Sequence, residues 1–116
     1  MSVFDDVRAE WVGKLRAAGV TDATADPVAN VPFVLVQPLS DDGRPQGIGG
    51  WPATLTISIV VPPPGDAAAM TALQDRLQLV LTTFPAPRSW VPGTYGPNEL
   101  PAYTVTYPVT VPNPNC

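Results

Sequence analysis

An α+β fold, with two helices packed on one face of a small antiparallel or mixed β-sheet, is predicted by three features of the 116-residue chain. Its 16 prolines are confined to particular stretches, with none in 1–26, in 53–61 or in 65–84. Apolar residues recur at spacings of three and four in the first and last of those windows, and alternate in the middle one. A further alternating run, Tyr103 to Val111, lies in the last third. Proline has no backbone N–H and a fixed φ, so it is excluded from helix interiors and from the centres of paired strands. The proline-free windows therefore mark where regular hydrogen-bonded structure forms.

The first window reads as a helix. Phe4, Val7, Trp11, Val12 and Leu15 make one apolar stripe. Ser2 is placed to cap the N-terminus, and Asp5 and Asp6 fall in the first turn, where negative charge suits the helix dipole. Lys14 and Arg16 occupy the opposite end, and Gly19 is the expected stop.

Residues 20–32 form a connector broken by Pro27 and Pro32. Phe33-Val34-Leu35-Val36-Gln37, closed by Pro38, has the length and branching of a strand buried on both faces or lying at a subunit contact. The 40–52 segment holds four glycines and two prolines and is expected to be irregular. In the 53–61 strand, Leu55, Ile57, Ile59 and Val61 share one face and Thr54, Thr56 and Ser58 the other. These two strands are expected to pair as a hairpin with a long tip.

After Pro62-Pro63-Pro64, Asp66 is the expected N-cap of a second helix. Its stripe is Met70, Leu73, Leu77, Val80, Leu81 and Phe84, and Pro85 ends it. A weaker strand is expected over Arg88 to Val91, before the turn-rich 92–98 segment. In the closing strand Tyr103, Val105, Tyr107, Val109 and Val111 share a face opposite Thr104, Thr106 and Thr110. Pro108 on the threonine side implies an edge position or a bulge.

Composition places the chain as one domain, residues 1–116, able to bury about two-thirds of its unfolded surface. With 45% apolar and only 14% charged residues it lacks the signature of disorder. A net charge of −4 argues against nonspecific binding to nucleic acid or to an anionic membrane. No apolar run approaches the ~20 residues of a membrane span, and the start lacks the basic and apolar regions of a signal peptide. The one cysteine, Cys116, leaves no intrachain disulfide and fits a reducing cytoplasm as the place of synthesis.

Candidate chemistry is sparse. There is no histidine, the commonest general base and metal ligand at neutral pH, and one cysteine makes no cysteine-based zinc site. Gly47-Ile48-Gly49-Gly50 is glycine-rich, but no Lys-Ser/Thr follows and a strand comes next, so it does not read as a phosphate loop. Asp41 and Asp42 with Asp75 or Glu99 are conceivable as an acid–base pair or cation site, but Asp-Asp-Gly is ordinary turn chemistry. No two prolines are spaced as P-x-x-P, which removes the usual ligand for polyproline-binding modules. The expectation is no catalytic residue, no cofactor and no metal. The threonine rows read equally as a recognition face or as a solvated sheet face. Trp51, at the end of the glycine-rich loop, reads equally as folded back on the core or as an interface anchor with Arg44 nearby.

In element order, size and composition the chain resembles tail terminator proteins of long-tailed bacteriophages. The resemblance is carried by the short helix from Val3 to Ala18, the hairpin from Phe33 to Val61 with its long loop, the Pro-Pro-Pro-Gly-Asp entry to the helix ending at Phe84, and the Tyr/Thr/Val closing strand. The Ala/Asp/Val/Pro-rich composition with few lysines is similar to that of such proteins from phages of high-GC actinobacteria. The resemblance implies a structural virion protein, not an enzyme, that forms a homo-oligomeric ring, usually a hexamer. Such a ring caps the tail tube and joins it to a neck or head-completion protein. It implies no membrane and no specific nucleic-acid binding, with DNA passage through the ring left open. Candidate interface residues are Arg44, Gln46, Ile48 and Trp51 on the loop. The neighbouring readings are another head–tail connector, head-completion or minor tail protein, and, from a different class, a small non-viral adaptor or binding domain.

Overall fold

A computed structural model gives the architecture and describes residues 3–25, 33–41, 50–60, 67–96 and 100–111. The elements are α1 (Val3–Ala17), β1 (Ala23–Thr24), β2 (Phe33–Val36), β3 (Ser40–Asp41), β4 (Trp51–Val60), α2 (Ala67–Thr83), β5 (Ser89–Tyr95) and β6 (Leu100–Val111). The strands form one mixed sheet in the order β1-β2-β4-β6-β5, with β3 also paired to β4. The β1–β2 pair is parallel, and the others are antiparallel. The expected α+β class, two helices on one face of a small mixed sheet, is the fold observed.

Register explains which face the helices cover. Val34 and Val36 lie opposite Ile59 and Ile57, and Ile57 and Leu55 lie opposite Val105 and Tyr107. All seven side chains are buried in one core with Leu15 of α1 and Leu73, Leu77 and Val80 of α2. Each fully buried Leu or Ile here stabilises the fold by roughly 1.5–3 kcal/mol relative to exposure. Leu35, Val60 and Ala102 are buried on the opposite face in a smaller cluster with Tyr95, so β2 is indeed buried on both sides. Met70, read as part of the α2 stripe, instead stays 40% exposed near the helix start.

The helix ends follow from local chemistry. At the end of α1, Gly19 adopts φ 106°. Its N–H bonds the Arg16 carbonyl at 3.1 Å, and the Val20 N–H bonds that of Leu15 at 2.9 Å. This is the left-handed glycine stop with its apolar contact, since Leu15 and Val20 both enter the core. The caps expected at Ser2 and Asp66 lie outside the described residues. The connector after α1 is held by arginines. Arg16 Nε donates to the Ala23 carbonyl at 2.9 Å, and Arg8 donates to the carbonyls of Ala25 and Val36 at 2.9 and 3.1 Å. Arg76 of α2 reaches Asp22 at 2.7 and 2.9 Å.

Three expectations are corrected. The 20–32 connector contains a strand, because Ala23 and Thr24 run parallel to β2 in register with Val34 and Leu35. The 40–52 segment is not wholly irregular, since Ser40–Asp41 pairs with β4 and β4 itself begins at Trp51. The strand expected over 88–91 continues through Pro92-Gly93 to Tyr95, and β6 begins three residues before Tyr103.

Where the strands hold prolines, each proline nitrogen faces away from a needed acceptor. In an antiparallel strand the N–H and C=O of one residue point to the same neighbour, and alternate residues reverse. Gln37 donates to the Thr56 carbonyl, and Arg88 donates to that of Thr106. Even-numbered residues of β4 thus address β2, and even-numbered residues of β6 address β5. Pro52 accordingly points away from β6. Pro108 points to the β5 side, but β5 pairs with β6 only as far as Thr106. Pro101 faces the β4 side just past the end of that ladder at Val60. Pro92 lies opposite Tyr103, which addresses β4, so the Pro92 nitrogen points off the free edge of the sheet. Pro108 therefore has the edge position that the alternation implied.

Candidate functional site

The interface candidates separate into two groups. Arg44, Gln46 and Ile48 lie outside the described residues, as do Asp42 and Glu99 of the imagined acidic site. Trp51 is the first residue of β4, paired with Val111, and is half-buried. Its ring stacks on Phe4 of α1, with centroids 5.8 Å apart and planes inclined by 14°. This contact pins the end of the glycine-rich segment to the start of α1, while Phe4 remains 40% exposed. Asp75 is exposed on α2. Among the described residues no group of three potential metal-ligating side chains gathers, and no helix is long and apolar enough to cross a membrane.

The interior polar groups serve the fold. Tyr107 is nearly buried and donates its hydroxyl to the Phe84 carbonyl at 2.8 Å. Burial pushes its phenol up to about 12, because the charged form loses hydration. Trp11 stacks on Phe84 at 3.8 Å between centroids, and both rings meet Tyr107 edge-on at 5.0 and 5.8 Å. One aromatic cluster thus joins α1, the end of α2 and β6. Ser58, also buried, accepts a hydrogen bond from the Gln37 amide.

The sheet face away from the helices has a distinct composition. Thr56 lies opposite Thr106, and Ser58 opposite Thr104. Ser89 and Thr106 share a hydroxyl hydrogen bond of 2.8 Å across β5 and β6. By register, no strand position on this face among the described residues carries a charged side chain. Charge is gathered on the helix side instead, where Lys14 pairs with Glu10 and Arg76 with Asp22. Thr54, Thr56, Thr104 and Thr106 are partly covered, while Thr110 is exposed.

Sequence reasoning missed β5 as a surface. Six of its seven residues are exposed, and Trp90 and Val91 stand 51% and 52% exposed. Trp90 lies opposite Val105 and so belongs to the helix-covered face, but on the edge strand beyond the helices. Val91 lies opposite Thr104 on the open face. The signal was present in the sequence: from Ser89 to Cys116 the only charged side chain is Glu99. Solvated edge strands are ordinarily guarded by charges, lysine above all.

Comparison with known proteins gives no family model that matches the chain and no curated protein that matches it.

Proposed function

We propose that this protein is a structural subunit of a phage virion, of the tail terminator kind, acting as a homo-oligomeric ring at the junction of tail tube and neck. The observation that carries the reading is the order and layering of its elements. A short helix, a strand pair joined through the long glycine-rich segment, a second helix and a long closing strand together make a sheet with helices on one side only. At the end of that sheet β5 stays exposed, an edge suited to burial against further protein.

Ring geometry fits the surface chemistry. Repetition of one interface around a closed ring multiplies contacts, so no single patch needs to be strongly apolar. A net charge of −4 per subunit keeps the assembly from adhering to the phosphate backbone, which suits a ring that DNA traverses rather than one that grips it. The glycine-rich segment, with Arg44, Gln46, Ile48 and Trp51, is assigned to contact with the neighbouring subunit or the tail tube. Tail tube protein and a neck or head-completion protein are the partners of this reading, and the virion is its location. No catalytic residue, metal or cofactor has a role in it.

Electron microscopy of tailed particles labelled with an antibody to this chain tests the proposal. Label at the head-proximal end of the tail is expected. Label elsewhere on the particle would move the protein to another tail or head component, and its absence from particles would favour an adaptor outside the virion.

A further inference from the structure

We infer that Arg8 and Arg16 of α1 lock the β1 edge of the sheet, holding it closed to strand addition by a second chain. The inference rests on the hydrogen bonds of that edge and is independent of the ring reading.

Unpaired main-chain groups at a sheet edge can recruit a further strand. At the ends of the strand order these edges are β1 and β5. The strands behind β1 make closure important. Phe33–Val36 and Leu55–Val60 hold no charged residue, proline or glycine, which is the composition of segments that stack into intermolecular sheets. At the middle of β5 the outward position is Pro92, which has no N–H to offer. β1, Ala23–Thr24, has no such residue. Its protection comes from the helix.

The Val34 N–H bonds the Asp22 carbonyl at 3.1 Å. Asp22 and Thr24 therefore address β2, while Ala23 and Ala25 point off the edge. The Ala23 N–H is taken by the Val20 carbonyl at 3.2 Å. The Ala23 carbonyl accepts from Arg16 Nε at 2.9 Å, and the Ala25 carbonyl from Arg8 Nη2 at 2.9 Å. Just past the end of β1, the Val36 carbonyl of β2 accepts from Arg8 Nε and Nη2 at 3.3 and 3.1 Å. Arg8 thus supplies the donors that a longer β1 would have supplied. The carbonyls on which an incoming strand would dock its N–H groups are already occupied.

Arginine suits this task. Its planar guanidinium carries a fork of N–H donors and accepts nothing, so it closes carbonyls without presenting a new edge. It is more weakly hydrated than an ammonium, and it stays charged, so the lock does not open by titration. The Arg8 side chain is only 17% exposed, with Nη1 3.8 Å from Asp5 one turn back. Because both arginines belong to α1, lifting that helix from the sheet would uncap all of these carbonyls together.

The test compares the unaltered full chain, Arg8→Met/Arg16→Met and Leu77→Ala, each well below its melting temperature. Sedimentation velocity and amide I infrared spectroscopy are the readouts. Methionine keeps the aliphatic stem and the helix propensity but removes the donors. The double variant is expected to associate as concentration rises, with its amide I band shifted toward the lower frequency of intermolecular strands. Loss of two cations makes each copy more acidic than −4, so charge alone would oppose that association. Leu77→Ala weakens the core without touching the edge and is expected to show neither change. A folded double variant indistinguishable from the unaltered protein would overturn the inference, and so would the same band shift in Leu77→Ala. If the double variant does not fold, Arg16→Met alone, which frees the Ala23 carbonyl, takes its place under the same criteria.

Discussion

The hydroxyl of Tyr107 in β6 bonds the main-chain carbonyl of Phe84, the first residue after α2, at 2.8 Å. A side chain of the sheet thereby satisfies one of the carbonyls that a helix C-terminus leaves open. The same phenol ring packs on Phe84 and Trp11, so one residue fixes where both helices sit against the sheet.

Tyr107→Phe keeps the packing and removes the hydroxyl. It should cost about 1–2 kcal/mol in denaturant stability at neutral pH, the effect of an unsatisfied buried carbonyl. The alkaline behaviour should also change. With the folded phenol raised from 10 to about 12, the unfolded chain ionises first, so this residue's contribution is intact below pH 10 and falls away as pH rises toward 12. Unfolding across that window should show a loss of roughly 2–3 kcal/mol that is absent in the variant.

Leu77 and Met70 lie on one helical stripe but differ in burial, at 9% and 40% exposed. Leu77→Ala should cost about 2–5 kcal/mol as a core truncation. Met70→Ala should change stability by roughly 0.5 kcal/mol or less. Equal effects in urea unfolding would contradict the packing of α2 described above.

Asp22 and Arg76 join the connector after α1 to the middle of α2, with both side chains about three-quarters buried. A double-mutant cycle with Asp22→Ala and Arg76→Ala should give a coupling above about 0.5 kcal/mol, and 0.5 M salt should weaken it only partly. For Lys14 and Glu10, both more than half exposed, the coupling should be close to zero.

Replacing residues 43–50 with a short turn should leave the melting temperature within a few degrees, because the core lies in other elements. Under the ring reading, the same variant should fail to join tails. Normal production of infectious particles would make the segment a spacer and place the contact elsewhere.

The helices, β2, β4 and β6 were legible because burial imposes a period, and Leu55, Ile57 and Ile59 or Leu73, Leu77 and Val80 display it directly. Gly19 was legible because a left-handed stop favours glycine. β1 was not, since two residues carry no period. The first part of β5, Ser89 to Val91, was legible, but its continuation to Tyr95 was hidden by Pro92-Gly93, which reads as a turn unless the direction of the proline nitrogen is known, and that direction depends on the tertiary register with β6. Trp51 was undecided in the sequence for a similar reason: its partner Phe4 lies 47 positions away and meets it only once α1 is laid on the sheet. Trp90 and Val91 left a trace only in the missing charge of the last third.

The most direct test of the central claim is the absolute mass of the purified full chain by light scattering at high concentration, with electron microscopy of the same sample. A species of about six times the 12.2 kDa chain mass, seen as closed rings, is the predicted result. A single species at 12.2 kDa over the whole concentration range, with no rings, would contradict it.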